Sequence, residues 1–181
     1  MFQFHYTITD DDYIKFNLNH ALHSKIGKKS AFLSKLILPC LFLCIALFSF
    51  LYGDITLVII ELIEFTIISI IWIVFYKKSV LRSIKRRVRM MKKSGRLPYS
   101  ENGTLTFEEN FICDATPLQE TKTSYNLIEE IYTTNEAIYI YNSAASAHIL
   151  PYRFIENQAV FNNLVDFLQA KTGKTIINIT E

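Results

Sequence analysis

The chain has 181 residues, half of them hydrophobic, with 19 basic against 17 acidic side chains and a formal net charge of +2. That length allows one modest domain beside an apolar segment. Three cysteines, two of them inside one apolar run, exclude a disulfide framework.

The small net charge hides a strong asymmetry. Residues 1–35 carry +2, residues 36–76 carry −3, residues 77–96 carry +10, and residues 97–181 carry −7 (four basic, eleven acidic). A basic collar therefore separates an apolar stretch from an acidic domain.

Phe2–Thr9 alternates apolar and polar residues, the period of a half-buried strand. Thr9 and Asp10-Asp11-Asp12 then predict a helix start, because a hydroxyl caps and carboxylates suit the positive end of the helix dipole. The helix is expected to run to about Lys25, with Gly27 just beyond it as the stop. Ile14, Leu18, Ala21 and Leu22 make one apolar stripe, and Tyr13, Phe16 and His20 a second, aromatic face. No apolar run with a small-residue cleavage site occurs in the first thirty residues, so no cleavable signal peptide is expected.

Leu36–Tyr76 holds only three charges, Asp54, Glu61 and Glu64, and is broken once at Gly53-Asp54. A membrane-spanning helix needs roughly 20 apolar residues to cross about 30 Å of hydrocarbon. Two spans are predicted, at about 33–52 and 55–76, joined by a tight turn. Lys35 would reach back to the headgroups along its methylene stem, and Pro39 sits early in the first span, where a missing N–H costs least. Lys25, Lys28, Lys29 and Lys35 precede the pair. Lys77, Lys78, Arg82, Lys85, Arg86, Arg87, Arg89, Lys92, Lys93 and Arg96 follow it, and the turn has no basic residue. Basic residues flanking spans stay on the cytoplasmic side, so both termini are expected there.

Lys77–Lys93 keeps a helical apolar stripe of Leu81, Ile84, Val88 and Met91. It would either continue the second span or bend to lie on the headgroups. In both cases its basic residues are candidate contacts for anionic lipid, worth about 1 kcal/mol each near the surface. No nucleic-acid-binding fold accompanies the patch, so no nucleic-acid partner is expected. Ser94-Gly95-Arg96-Leu97-Pro98 marks a boundary.

From Glu101 the pattern changes to short strands: Thr104–Phe107, Phe111–Ala115, Gln119–Tyr125, Leu127–Tyr132, Ala137–Tyr141 and Ala147–Leu150. AIYIY at 137–141 is the strongest, β-branched and aromatic throughout. Asn157 to Lys171 reads as an amphipathic helix with Val160, Phe161, Leu164, Val165 and Leu168 on one face and Gly173 at its stop. The last residues, 174–181, would add an edge strand or trail loose. The class is α+β, an antiparallel sheet or partial barrel closed by a C-terminal helix.

YTITDDDYIKFNLNHALHSKIGKKS (6–30), the hairpin, GTLTFEEN (103–110), Tyr125–Ile131 and AIYIYNSAASAHILPYRFI (137–155) together resemble the YcxB-like family of bacterial membrane proteins. The resemblance implies two transmembrane helices and a cytoplasmic C-terminal domain similar to a pleckstrin-homology fold. It implies no catalytic or ligand motif. The resulting division is an N-terminal strand and helix at 1–30, the hairpin at 31–76, a basic juxtamembrane helix at 77–97, and the C-terminal domain at 98–181.

Glu61 and Glu64 are the sharpest anomaly, since carboxyls inside a membrane are functional candidates by default. Mirroring about the turn places them opposite Ala46 and Leu43. They would line a proton or cation path in an oligomer, act as neutral glue between helices, or, for Glu61, reach the outer interface. His20 and His23 lack a third ligand, so no metal or cofactor is expected. Cys40 and Cys44 read as small packing residues, and Cys113 as a core thiol. His148 and Arg153 would be a satisfied structural pair or mark a binding edge. Gly173-Lys174-Thr175 lacks the earlier glycine of a phosphate loop. No constellation supports an enzyme.

The expected function is a membrane-anchored, cytoplasm-facing interaction module on the bacterial cytoplasmic membrane. Its partners would be the lipid bilayer and a protein bound through the C-terminal domain. The alternative is an oligomeric transport or channel component built on Glu61 and Glu64.

Overall fold

The computed structural model describes residues 1–53, 55–95, 97, 99–144 and 146–179. Asp54 of the turn, Arg96 of the basic run, Pro98 of the boundary, Ala145, and the terminal Thr180 and Glu181 lie outside the described residues. The chain forms two compact units, residues 1–16 with 88–181, and residues 17–87.

In the first unit, β1 (Phe2–Thr7) runs antiparallel to β2 (Asn102–Phe107), with Phe2 opposite Phe107 and Thr7 opposite Asn102. The N-terminal strand thus belongs to the C-terminal sheet. β3 (Phe111–Ala115) and β4 (Glu120–Ser124) complete a sheet of order β1-β2-β3-β4. β5 (Glu130–Thr133), β6 (Ala137–Tyr141) and β7 (Ala147–Pro151) form a second sheet. β8 (Ile176–Asn178) joins its edge parallel to β5, giving the order β7-β6-β5-β8.

The class is α+β as expected, but the sheet is not closed into a barrel. Tyr125 and Leu127, expected as the end of one strand and the start of the next, instead form with Asn126 a 3-10 turn between β4 and β5. The turn takes the chain from one sheet to the other, and no ladder joins the two among the described residues.

Alternation along the strands builds the core. Phe4 and Tyr6 of β1, Leu105 and Phe107 of β2, Ile112 of β3, Ile131 of β5, Ile138 and Ile140 of β6 and Leu150 of β7 all enter one buried cluster. Leu164 and Leu168 of the C-terminal helix, wholly buried, join the same cluster. AIYIY is buried on both faces. Its isoleucines enter that core, while Ala137, Tyr139 and Tyr141 pack in a second cluster with Phe16. The Phe16 ring lies 5.5 Å from Tyr139 and 5.8 Å from Tyr141.

The helices begin and end on identifiable caps. α1 (Asp10–His23) opens on a reciprocal box. The Thr9 N–H donates to Asp12 Oδ2 at 2.7 Å, and the Asp12 N–H donates to Thr9 Oγ1 at 3.2 Å. α1 ends at His23, and Ser24 caps a new helix, α2 (Lys25–Leu51), accepting from the Gly27 N–H at 2.9 Å. Gly27 is therefore not a helix stop, and α2 starts well before the expected span. α3 (Ile55–Lys93) is one unbroken helix, so the basic stretch continues the apolar one and is not a separate element. α4 (Gln158–Thr172) has Asn157 as its cap, accepting from the Val160 N–H, and ends at Gly173 in the left-handed region.

Within residues 17–87, α2 and α3 are both long and apolar enough to cross a membrane. Trp72 Nε1 reaches the Ser34 carbonyl at 3.4 Å, and the Lys35 ammonium lies 4.8 Å over the Tyr76 ring. Large apolar side chains such as Ile37, Phe48, Ile70 and Val74 are more than half exposed.

Gly27 fits where α1 meets α2 because it has no Cβ. One built there would stand 2.1 Å from the His20 carbonyl oxygen and 2.7 Å from that of Ala21. Helix propensity alone would make Gly27→Ala about 1 kcal/mol stabilising. Thermal unfolding of the purified chain in detergent is expected to show the opposite, a loss of about 2 kcal/mol from the forced displacement.

Candidate functional site

The nine candidate headgroup contacts, Lys77, Lys78, Arg82, Lys85, Arg86, Arg87, Arg89, Lys92 and Lys93, are all exposed on α3. Leu81, Ile84, Val88 and Met91 sit between them as the less exposed stripe, with Val88 buried. Lys92 is the least available of the nine, since Asp10 Oδ2 holds its ammonium at 2.6 Å. The hydrogen bonds from Lys92 and then Tyr99 hold the Asp10 carboxyl below the usual carboxylate range.

Glu61 and Glu64 do not act alike. Glu61 Oε1 accepts from Ser49 Oγ at 2.8 Å, so its neighbour on α2 is Ser49, not Ala46. The mirror point lies slightly later in the chain than the turn suggests. Glu61 Oε2 is buried without a partner among the described residues, whereas Glu64 is exposed. Three residues along a helix leave a rotation of roughly 60°, enough to turn one carboxyl toward α2 and the other outward.

The most connected polar cluster lies elsewhere, in the sandwich of strands. Tyr6 OH donates to Asp114 Oδ1 at 2.6 Å. His148 Nδ1 meets Asp114 Oδ2 at 3.0 Å, and His148 Nε2 meets Thr123 Oγ1 at 3.1 Å. A carboxylate only accepts, so Nδ1 carries a proton toward Asp114, and Nε2 shares a hydrogen bond with the Thr123 hydroxyl. Thr123 and His148 lie on β4 and β7, edge strands of the two sheets, so the cluster is a seam between the sheets. Its Thr–His–Asp order is that of a nucleophile, base and orienting acid. The Thr123 side chain is buried at 4% exposure, however, and a substrate carbonyl cannot approach it. The seam satisfies polar groups in a core, where losing one partner costs about 1–3 kcal/mol.

Arg153 has a separate task. Its guanidinium makes two parallel bonds to Asp12, Nη1 to Oδ1 at 2.7 Å and Nη2 to Oδ2 at 2.6 Å, and Nη2 also donates to the Thr7 carbonyl. It fixes the start of α1 to the end of β7. His148 and Arg153 are thus both satisfied, each by a different acid and not as one pair.

Sequence reasoning missed Asp114, Thr123 and Tyr6, though alternation carried a signal. Asp114 shares a strand face with the core residue Ile112, and His148 shares one with Leu150. Two polar residues at inward positions each require a buried partner. Cys113 is buried, and burial followed by the Glu120 carboxylate pushes its thiol up, which leaves it unreactive. Cys40 and Cys44 are free and exposed on α2. No group of three or more metal-ligating side chains occurs among the described residues.

A family model described as YcxB-like protein matches residues 107–167, from the end of β2 into α4. That segment is similar to the YcxB-like family. The resemblance read from the sequence is borne out over that stretch, which holds β3 to β7 and the seam residues Asp114, Thr123 and His148. The YcxB-like match does not extend to α2 and α3. No curated protein and no solved structure gives a match.

Burial raises the Asp12 carboxyl, but hydrogen bonds from Arg153 and Thr9 outweigh it and hold the group at about 2 instead of 3.8. A carboxyl lowered on folding adds stability above its unfolded value and loses it as pH falls through the folded one. Unfolding followed against pH is expected to lose roughly 1 kcal/mol on going from pH 3.8 to about 2, discounted for the half-exposed guanidinium. Arg153→Ala is expected to remove that part of the slope.

Proposed function

We propose that the chain is a membrane-anchored interaction module of the bacterial cytoplasmic membrane. The α2–α3 hairpin anchors it, both termini face the cytoplasm, and the domain of strands binds a protein. The observation that carries this reading is the β1–β2 ladder. β1 precedes the two apolar helices and β2 follows them, yet the strands hydrogen-bond over six residue pairs. A chain that leaves a sheet and returns to its neighbouring strand must cross a membrane an even number of times. Two helices of spanning length, exposed along their apolar surface, fit one crossing out and one back.

The charges fit as well. The basic residues begin where the apolar part of α3 ends and suit anionic headgroups. Residues 97–181 carry −7 and do not, so lipid attraction falls to the collar and partner recognition to the domain. Two face-to-face sheets closed by a C-terminal helix support a pleckstrin-homology-like reading in an open form. The buried Thr123 favours binding over catalysis, and the reading needs no cofactor.

A second reading has its own observation. Glu64 is an exposed carboxyl on an apolar helix face, and Glu61 Oε2 is buried without a partner among the described residues. Several hairpins assembled around these groups would form a transport or channel component. In that case Glu61→Gln with Glu64→Gln abolishes proton or cation flux in reconstituted vesicles, and an absence of flux in the unaltered chain sinks it.

Alkaline carbonate washing is expected to leave the chain in the membrane pellet; release into the supernatant would overturn the anchor. Crosslinking in cells, followed by capture and mass spectrometry, is expected to recover a protein partner that a chain ending at residue 97 does not. Self-crosslinks alone, retained on that truncation, would favour assembly through the hairpin.

A further inference from the structure

A cleft of about 280 Å³ lies beside the Asp114–His148 seam, and its lining includes Tyr6, Tyr13, Phe16, Tyr99 and Asp114. The four rings come from β1, α1 and the segment before β2. Tyr13 stands 5.1 Å from Tyr99 and 6.2 Å from Phe16, centroid to centroid. Gly103 faces Tyr6 across the β1–β2 ladder, and a Cβ there would come within 2.5 Å of the Tyr6 ring carbon and hydroxyl. Glycine at that position leaves the space that Tyr6 fills.

The acid in this cleft is fixed. Tyr6 OH holds one Asp114 oxygen and His148 the other, and the side chain is 20% exposed. Burial and neighbouring carboxylates push the Tyr6 and Tyr99 hydroxyls far up, so both rings stay neutral. The wall therefore combines neutral aromatic rings with a single oriented negative charge. Residues 97–181, Asp114 included, carry a net −7, which repels anions and attracts cations. One carboxylate among rings is a poor set for a metal ion, which wants several oxygen ligands. It suits a cation with an apolar surface, which gains from ring quadrupoles and from the charge together.

We propose that this cleft binds a small organic ammonium ion, its charge set against Asp114 and its alkyl groups against Tyr6, Tyr13, Phe16 and Tyr99. The ammonium arrives either on a soluble amine or on a lipid headgroup. This site is independent of the membrane reading above, because every lining residue belongs to the unit of strands.

The test is saturation-transfer NMR on the full chain in phosphatidylglycerol nanodiscs, titrated with (2-hydroxyethyl)trimethylammonium and with its neutral isostere 3,3-dimethylbutan-1-ol. The cation is expected to bind about tenfold more tightly than the alcohol. Asp114→Asn is expected to reduce cation affinity about tenfold and leave the alcohol unchanged. Tyr13→Leu, which leaves the seam untouched, is expected to weaken the cation similarly. Equal binding of cation and alcohol, or undiminished cation binding by Tyr13→Leu, would overturn the proposal. With binding established, a further fall in free-cation affinity when the discs contain phosphatidylcholine assigns the ammonium to a headgroup. An unchanged affinity assigns it to a soluble amine.

Discussion

The β1–β2 ladder is the constraint on which the rest depends. It brings residues 2–7 to residues 102–107 across everything between them. Closing so long a loop has an entropic cost that grows only slowly with length, so a modest ladder can hold it if its side chains are buried. Phe4, Tyr6, Leu105 and Phe107 meet that condition, since all four lie in the main core. The long apolar helices are consequently an insertion between neighbouring strands of one sheet. An insertion of that kind must leave and return on the same side of whatever it crosses.

Other contacts reinforce the Thr7 end of that ladder. Arg153 ties the Thr7 carbonyl and the Asp12 carboxylate together at the first turn of α1. Phe16 then packs against the outer face of β6. This explains why β6 can be apolar on both faces: one face meets the opposing sheet and α4, and the other meets the beginning of α1. The seam of Tyr6, Asp114, His148 and Thr123 is the polar counterpart. It joins edge strands that share no ladder, and it orients an acid beside the aromatic cleft.

Much of this was legible from local signals. AIYIY announced a strand, because β-branched and aromatic residues fill it, and the structure adds that both of its faces are buried. Asn157 and Gly173 marked the ends of α4 through a side-chain cap and a left-handed stop. The apolar runs of α2 and α3 were plain from length alone. The errors came where a local signal had two meanings. Gly27 looked like a helix stop because glycine favours that role, but Ser24 restarts the helix and Gly27 serves close backbone packing. Tyr125 and Leu127 looked like strand ends because both are largely apolar, but with Asn126 they form the turn between sheets. The partners of Glu61, His148 and Arg153 could not be read from spacing. Each comes from another element, and only the inward parity of Asp114 and His148 along their strands hinted at one of the pairs.

The most direct test of the inserted hairpin is compartment labelling with a membrane-impermeant maleimide. Cys40, Cys44 and Cys113 would be replaced by serine, and single cysteines placed at Gln3, Tyr52 and Leu118. All three positions are exposed, Tyr52 at 77% and Leu118 at 91%, so reagent access reports the side of the membrane and not burial. The ladder requires Gln3 and Leu118 to share a side, and the proposed orientation predicts that both react only in inverted vesicles and Tyr52 only in right-side-out ones. Labelling of Gln3 and Leu118 from opposite sides, or of Tyr52 from the same side as both, would contradict it.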